Sequence, residues 1–181
     1  MKALSIRSIV GIWLALLLTS AVAHAESYAE DRAKIENLQA RYMFAFDWRD
    51  ATTYASCFTP NGVLEYGGGV EKGRDAIRAM INRTKRREAE QLAKEQPGIR
   101  PWRMRHSITN IVLKIDGDKA VGRAYWTEFE NKKPDRHAEI GAYGHYEDEL
   151  VKIDGEWFFS KRVIYNEQLD KRAAPADSPA W

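Results

Sequence analysis

The sequence has a single cysteine, only four histidines and almost no excess of either charge. A lone Cys57 excludes an internal disulfide, and its setting in Tyr54-Ala-Ser-Cys-Phe58 suits a small buried hydrophobe better than a nucleophile. His106, His137 and His145 have no tight ligand spacing and none pairs with Cys57, so no metal or cofactor is expected. Gly67-Gly68-Gly69 lacks the strand, lysine and helix context of a phosphate-cradling loop. Of the 28 basic residues, Lys2 and Arg7 account for the formal +2, which leaves the rest balanced against 26 acidic residues. That balance argues against a nucleic-acid partner or an anionic membrane surface. The cluster Arg83, Lys85, Arg86, Arg87 is followed at once by Glu88, Glu90 and Glu95, which reads as a solvated helical face.

What is present begins with a basic start, an uncharged apolar run from Ser8 to Val22 and the small-x-small pattern Ala23-His24-Ala25. These predict a secretory signal peptide over 1–25, hence export to the periplasm and no stable membrane insertion after cleavage. The remainder is long enough for one domain with a core, assigned to 26–168, and a polar 169–181 is expected to be a disordered tail.

Within the domain, Ile35, Leu38, Tyr42 and Ala45 recur at intervals of three and four and predict a helix with one buried face from about 27 to 48. Asp50 reads as the N-cap of a short second helix that Thr59-Pro60-Asn61-Gly62 stops, and Val63 to Tyr66 as a brief strand. A third helix begins near Gly73 and runs through the charged segment to Pro97. From Trp102 the pattern changes to long strands rich in aromatic and β-branched residues: 106–115, 120–129, 138–153 and 157–165, with turns at Asp116-Gly117 and Asp154-Gly155. Three helices followed by a meander predict an α+β domain, a cone-shaped antiparallel sheet whose helices cover a central cavity. Such a cavity suits a small hydrophobic molecule.

Asp47 is the unusual residue. A carboxylate in the last turn of a helix faces unpaired carbonyls and the negative end of the macrodipole, so it needs a compensating partner. It is either the start of the turn into the next helix or one half of a polar site. His106, at the start of the first long strand, is the candidate partner: a histidine held by a carboxylate has a fixed tautomer and a stabilised cation, as proton transfer requires. Tyr42 and Tyr66 could donate to a substrate oxygen as negative charge develops. Phe46, Tyr125, Tyr146 and Arg162 complete the candidate cavity as substrate-binding residues, with Arg162 alternatively half of a cross-strand salt bridge. His137 falls in a polar loop, and His145 on the strand face opposite Tyr146 and Asp148, which assigns it to the surface.

The pattern Phe46-Asp47, Phe58-Thr-Pro-Asn-Gly, Gly73-Arg-Asp-Ala-Ile, Arg105-His106-x-x-Thr109-Asn110 and Gly144-x-Tyr146-x-Asp148 before Asp154-Gly155-x-Trp157 resembles the SnoaL-like branch of the nuclear transport factor 2-like superfamily. The resemblance implies the cone fold and a homo-oligomer, dimer or trimer. Nearest in site pattern are its dehydratase-type members, bile acid 7α-dehydratase and scytalone dehydratase, which implies that Asp47, His106, Tyr66 and Tyr42 are catalytic in a lyase or isomerase. Phe46 stands where scytalone dehydratase has a tyrosine, and no histidine near Phe129 matches that enzyme's second one, which argues against a scytalone-type substrate. A non-catalytic periplasmic binding domain is the alternative.

Overall fold

The computed structural model describes residues 28–95 and 97–181; the expected signal peptide lies outside them. Helix α1 covers 28–47 and buries the anticipated stripe of Ile35, Leu38, Tyr42 and Ala45. Arg49 ends it in the left-handed region at φ 55°, while the Asp50 amide returns to the Ala45 carbonyl at 2.8 Å. Asp50 then caps α2 (Ala51–Ser56) by accepting from the Thr53 amide at 3.0 Å. Strands β1 (Phe58–Tyr66) and β2 (Gly69–Lys72) precede α3 (Arg74–Leu92), and β3 (Met104–Asp116), β4 (Lys119–Glu130), β5 (Glu139–Ile153) and β6 (Glu156–Asn166) follow.

The six strands lie in the order β2-β1-β6-β5-β4-β3, with β1 parallel to β6 and every other pair antiparallel. Register breaks in β1, in β3 after Thr109, between Glu128 and Phe129, and between Glu149 and Leu150 bend the sheet over the helices. The core fills the concave side, where Leu64, Trp126, Tyr146, Leu150, Trp157 and Phe159 meet the buried faces of the three helices. The α+β cone is therefore as expected, with two local differences. Thr59-Pro60-Asn61-Gly62 is a bulge inside β1 rather than a stop before it, because Phe58 already pairs with Phe159. Gly62 is required there: a Cβ would lie 2.9 Å from the Cβ of Phe58. The short β2 was not foreseen at all, since Val70-Glu-Lys carries too little apolar pattern to stand out from a glycine turn.

Two polar features fix how the layers sit. Asp148 and Arg162 are directly opposed on β5 and β6, fully buried, and joined by two bonds of 2.7 Å, with Gln39 of α1 reaching the same carboxylate at 3.4 Å. Strand β3 is a sheet edge, and α1 covers it: Arg32 donates to the Ile111 carbonyl at 3.3 Å and Asp47 accepts from the His106 amide at 2.9 Å.

The segment after β6, expected to be disordered, instead carries a 3-10 turn at Asp170–Arg172 and returns along the outer sheet face. Arg123 donates to the Pro179 carbonyl at 3.1 Å, and the Trp181 ring sits 4.5 Å from the Lys114 ammonium. A polar composition concealed this because its anchors are one carbonyl and one terminal aromatic.

Candidate functional site

Between α1, α2, α3 and the concave face lies a cavity of about 260 Å³, reached by Tyr42, Phe46, Tyr54, Tyr66, His106, Trp126, Glu128 and Tyr146. Its size is near the lower end for small-molecule sites, which run from about 300 Å³ upward. A larger depression of about 960 Å³ lies over the outer face. Part of its charged wall is internally paired, as in Glu65–Lys161 at 2.8 Å and Arg123–Glu147 at 3.0 Å, and it contains none of the candidate catalytic residues.

Asp47 and His106 meet. The carboxylate takes the ring Nδ1 at 2.6 Å with one oxygen and the backbone amide of the same residue at 2.9 Å with the other. This is the compensation that a carboxylate at a helix C-terminus needs, and the Arg49 side chain adds to it by donating to the Phe46 carbonyl in the last turn and pairing with Glu88 at 2.7 Å. The second ring nitrogen faces a residue that the sequence reading missed: Glu128 lies directly opposite His106 in the β3–β4 register, and its carboxylate is 3.4 Å from Nε2.

The imidazole thus has a carboxylate on each nitrogen. Burial alone would push the His106 pKa down, yet the hydrogen bonds and charges of Asp47 and Glu128 outweigh it and hold the value above the ordinary 6.5. Burial likewise pushes Glu128 up, and the bond and charge of His106, with Lys132 behind, bring it below the usual 4.5. A neutral ring protonated on Nδ1 would aim its Nε2 lone pair at the Glu128 carboxylate, so the arrangement favours the imidazolium, which can donate from both nitrogens, over the neutral ring. Such a group can give a proton from Nε2 into the cavity, and its neighbour can take one.

The other expected residues divide. Tyr42 is buried in the cavity wall, hydrogen bonded to Tyr54 at 2.5 Å. Phe46 lies edge-on to His106 with ring centres 5.3 Å apart, and Tyr146 lines the wall beside Trp126. Tyr66 reaches the mouth, where its hydroxyl donates to Glu71 at 3.4 Å while Arg83 holds that carboxylate at 2.6 Å. Arg162 does not line the cavity; it sits under the floor in the salt bridge with Asp148, its guanidinium 4.0 to 4.3 Å from the rings of Phe159, Tyr146 and Tyr42. Tyr125 is on the wrong face: Ala124 and Trp126 turn inward, so strand alternation sends Tyr125 outward, 54% exposed. His145 is also on the outer face, as foreseen, but buried rather than superficial: it stacks on Tyr165 at 4.5 Å beside the returning tail. Glu128 was legible in principle, since it and Glu130 are the charged side chains at the parity of Gly122, Ala124 and Trp126.

On the far side of the Asp47–His106 pair a second hollow of about 380 Å³ is walled by Met43, Phe44, Trp48, Arg105, Ile108 and Ile111, with Arg105 over the Trp48 ring at 3.8 Å.

A family model described as a SnoaL-like domain matches residues 27–163. Among solved structures, the chain is similar to a protein of unknown function from Mycobacterium tuberculosis, 26% identical over 85% of this chain and 84% of that one, with a TM-score of 0.66. An NTF2-like protein with a cystatin-like fold from Novosphingobium aromaticivorans is 21% identical, covering 89% and 92% of the two chains at a TM-score of 0.67. A provisionally assigned scytalone dehydratase from the same organism is 21% identical, covering 78% and 87% at 0.60. At that identity the last two establish fold alone. No curated protein matches.

Proposed function

The chain belongs to the SnoaL-like family of the nuclear transport factor 2-like superfamily, and from that premise we propose that it is an acid–base lyase, a dehydratase or double-bond isomerase for a small hydrophobic cyclic substrate, working with its own side chains. The observation that carries this is the array Asp47–His106–Glu128 at the wall of an apolar cavity. The likeness to a provisionally assigned scytalone dehydratase supports the reaction class without fixing it.

The chemistry follows from the resting charges. A substrate with a hydrogen next to a carbonyl and a hydroxyl one carbon further loses that hydrogen as a proton to Glu128. The imidazolium gives its Nε2 proton to the departing hydroxyl, which leaves as water. Glu128 then returns its proton to Nε2 across their 3.4 Å contact, and the starting state is restored. Asp47 fixes the ring and keeps the cation favourable, while Tyr42 and Tyr66 offer hydrogen bonds to the substrate oxygens. In this scheme His106 acts first as the acid and Glu128 as the base, where the sequence alone suggested His106 as base and then acid.

The test is a panel of cyclic β-hydroxy ketones assayed by the ultraviolet absorbance of the conjugated enone. His106→Ala is expected to abolish turnover with the circular dichroism spectrum unchanged. Glu128→Gln should cost about 10² to 10⁴ in kcat, the usual worth of one positioned acid or base. Activity within a factor of two of wild type in either variant would end this mechanism.

A binding domain is the second reading, favoured by the fact that the array is saturated within itself, as a purely structural ion cluster would be. Ligand affinity with no product over long incubation would select it. Export to the periplasm is proposed on residues 1–25 alone.

A further inference from the structure

The hollow behind the Asp47–His106 pair is larger than the chamber in front of it, about 380 Å³ against about 260 Å³, and falls within the usual range for small-molecule sites. Met43 and His106 line both spaces and form the partition between them. One wall of the hollow is aromatic. Phe44 and Trp48, one turn apart on α1, stack with ring centres 5.5 Å apart and are 65% and 57% exposed, and stacked rings left open beside a concave space mark a binding surface. Besides His106, three charged side chains line it. Glu36 is held by Arg32 at 2.9 Å and Asp47 by His106 at 2.6 Å. Arg105 is the one left over: its guanidinium lies 3.8 Å over the Trp48 ring, its Nη1 donates to the Met104 carbonyl, and among the described residues it has no carboxylate partner. At the other end is Gln39, 1% exposed. Its Nε2 turns to the Asp148 carboxylate at 3.4 Å, which fixes the amide and leaves Oε1 buried with no hydrogen-bond partner. An acceptor stranded in apolar surroundings is costly until a donor reaches it.

We propose that the hollow between α1 and β3 is a second ligand site, for a flat bicyclic aromatic acid that carries a hydroxyl or ring N–H at the end opposite its carboxylate. The rings lie against Phe44 and Trp48, the carboxylate meets Arg105, and the donor is given to Gln39. The nine residues from Gln39 to Trp48 span about 13 Å of helix, too long for a single ring and suited to two. An occupant rests against Asp47 and the reverse of His106 without entering the chamber, which is the place of an effector rather than of a substrate. The site stands apart from the lyase reading, since it needs the hollow and its unpaired groups and not turnover. A second copy of the chain is the weaker occupant, because a flat protein face reaches the exposed rings but not the buried Gln39 oxygen.

Calorimetry at neutral pH with three bicyclic probes tests this: 6-hydroxy-2-naphthoate, 2-naphthoate, which lacks the donor, and 2-naphthol, which lacks the acid. Wild type is expected to bind the hydroxynaphthoate about fivefold tighter than 2-naphthoate and about tenfold tighter than 2-naphthol, the worth of one neutral and one charge-assisted hydrogen bond. Arg105→Gln should erase the margin over 2-naphthol and keep the margin over 2-naphthoate. Two plugs locate the site. Ala40, exposed on α1, lines the hollow and not the chamber, and Thr84 on α3 lines the chamber and not the hollow. Ala40→Phe should abolish binding with the circular dichroism spectrum unchanged, and Thr84→Phe should preserve it. The reverse pattern would put the probe in the chamber and overturn the proposal, while the acid–base reading would survive. Equal affinity for the three probes, or a margin over 2-naphthol that Arg105→Gln leaves intact, would overturn it too. So would a wild type that binds none of them; if Ala40→Phe then lowers the sedimentation coefficient, the hollow is covered by a second copy instead. The indole N–H resonance of Trp48, identified by its loss in Trp48→Phe, gives the answer without a plug. Hydroxynaphthoate should shift it in wild type, and a resonance that stays in place at saturation overturns the assignment.

Discussion

Replacing Asp47 by asparagine separates geometry from charge. Asparagine keeps the shape, but it has one carbonyl oxygen for two donors, the His106 amide at 2.9 Å and the ring Nδ1 at 2.6 Å. Whichever it accepts, its own amide group confronts the other. The loss is one charge-assisted hydrogen bond and one buried donor left without a partner, about 2–4 kcal/mol together. For a domain of this size that is roughly 5–15 °C in Tm. The pH dependence is more diagnostic. A histidine whose folded pKa is raised contributes stability that is complete below the ordinary 6.5 and is lost as pH rises through the folded value. Glu128, lowered from 4.5, contributes in the opposite sense: its share is present above that value and lost as pH falls through the folded one. Wild type should therefore lose stability with rising pH just above 6.5, and Asp47→Asn should show a shallower slope there because one of the two anions that hold the proton is gone. Denaturant melts at a series of pH values measure this, with NMR titration of the His106 ring as the site-specific check. If His106 titrates identically in both proteins, or if the variant melts within one degree of wild type with the same slope, the coupling read from the geometry is wrong.

Two further predictions test the corrected positions. Asp148→Ala should cost about 3–5 kcal/mol, because it strands the Arg162 guanidinium without its anion; replacing both residues together by apolar ones should recover much of that loss, and chemical denaturation of the three proteins decides. Tyr125→Ser should stay within about 0.5 kcal/mol of wild type and leave ligand binding intact, since the ring faces away from the cavity; a loss of affinity would mean that strand β4 is in another register.

Helix α1, the N-cap at Asp50 and the long strands were legible because each rests on a local pattern: a 3.6-residue stripe, a capping side chain, alternation. The convergence of Asp47 with His106, 59 residues apart, was reached by chemistry and family resemblance rather than by any local signal. Glu128 escaped because its meaning depends on a cross-strand register that only the bulged sheet sets. Tyr54 escaped because a tyrosine in a short helix reads as core until its hydroxyl is seen beside another. Arg162 and Tyr125 were placed in the cavity because a single sequence carries no strand phase strong enough to separate floor, wall and outer surface.

The buried ion pair under the cavity floor has a kinetic consequence. A hollow floored by hydrocarbon can shrink when it is empty, as loosely packed side chains relax inward. The Asp148–Arg162 pair cannot, because its bonds and the three rings stacked on the guanidinium fix the floor at one height. If the chamber takes a ligand as proposed, capture needs little rearrangement and loses little affinity to ordering. On the proposed reading, changes at Tyr66 and the glycines beside it, which line the chamber, should alter how quickly a ligand comes and goes more than how tightly it is held.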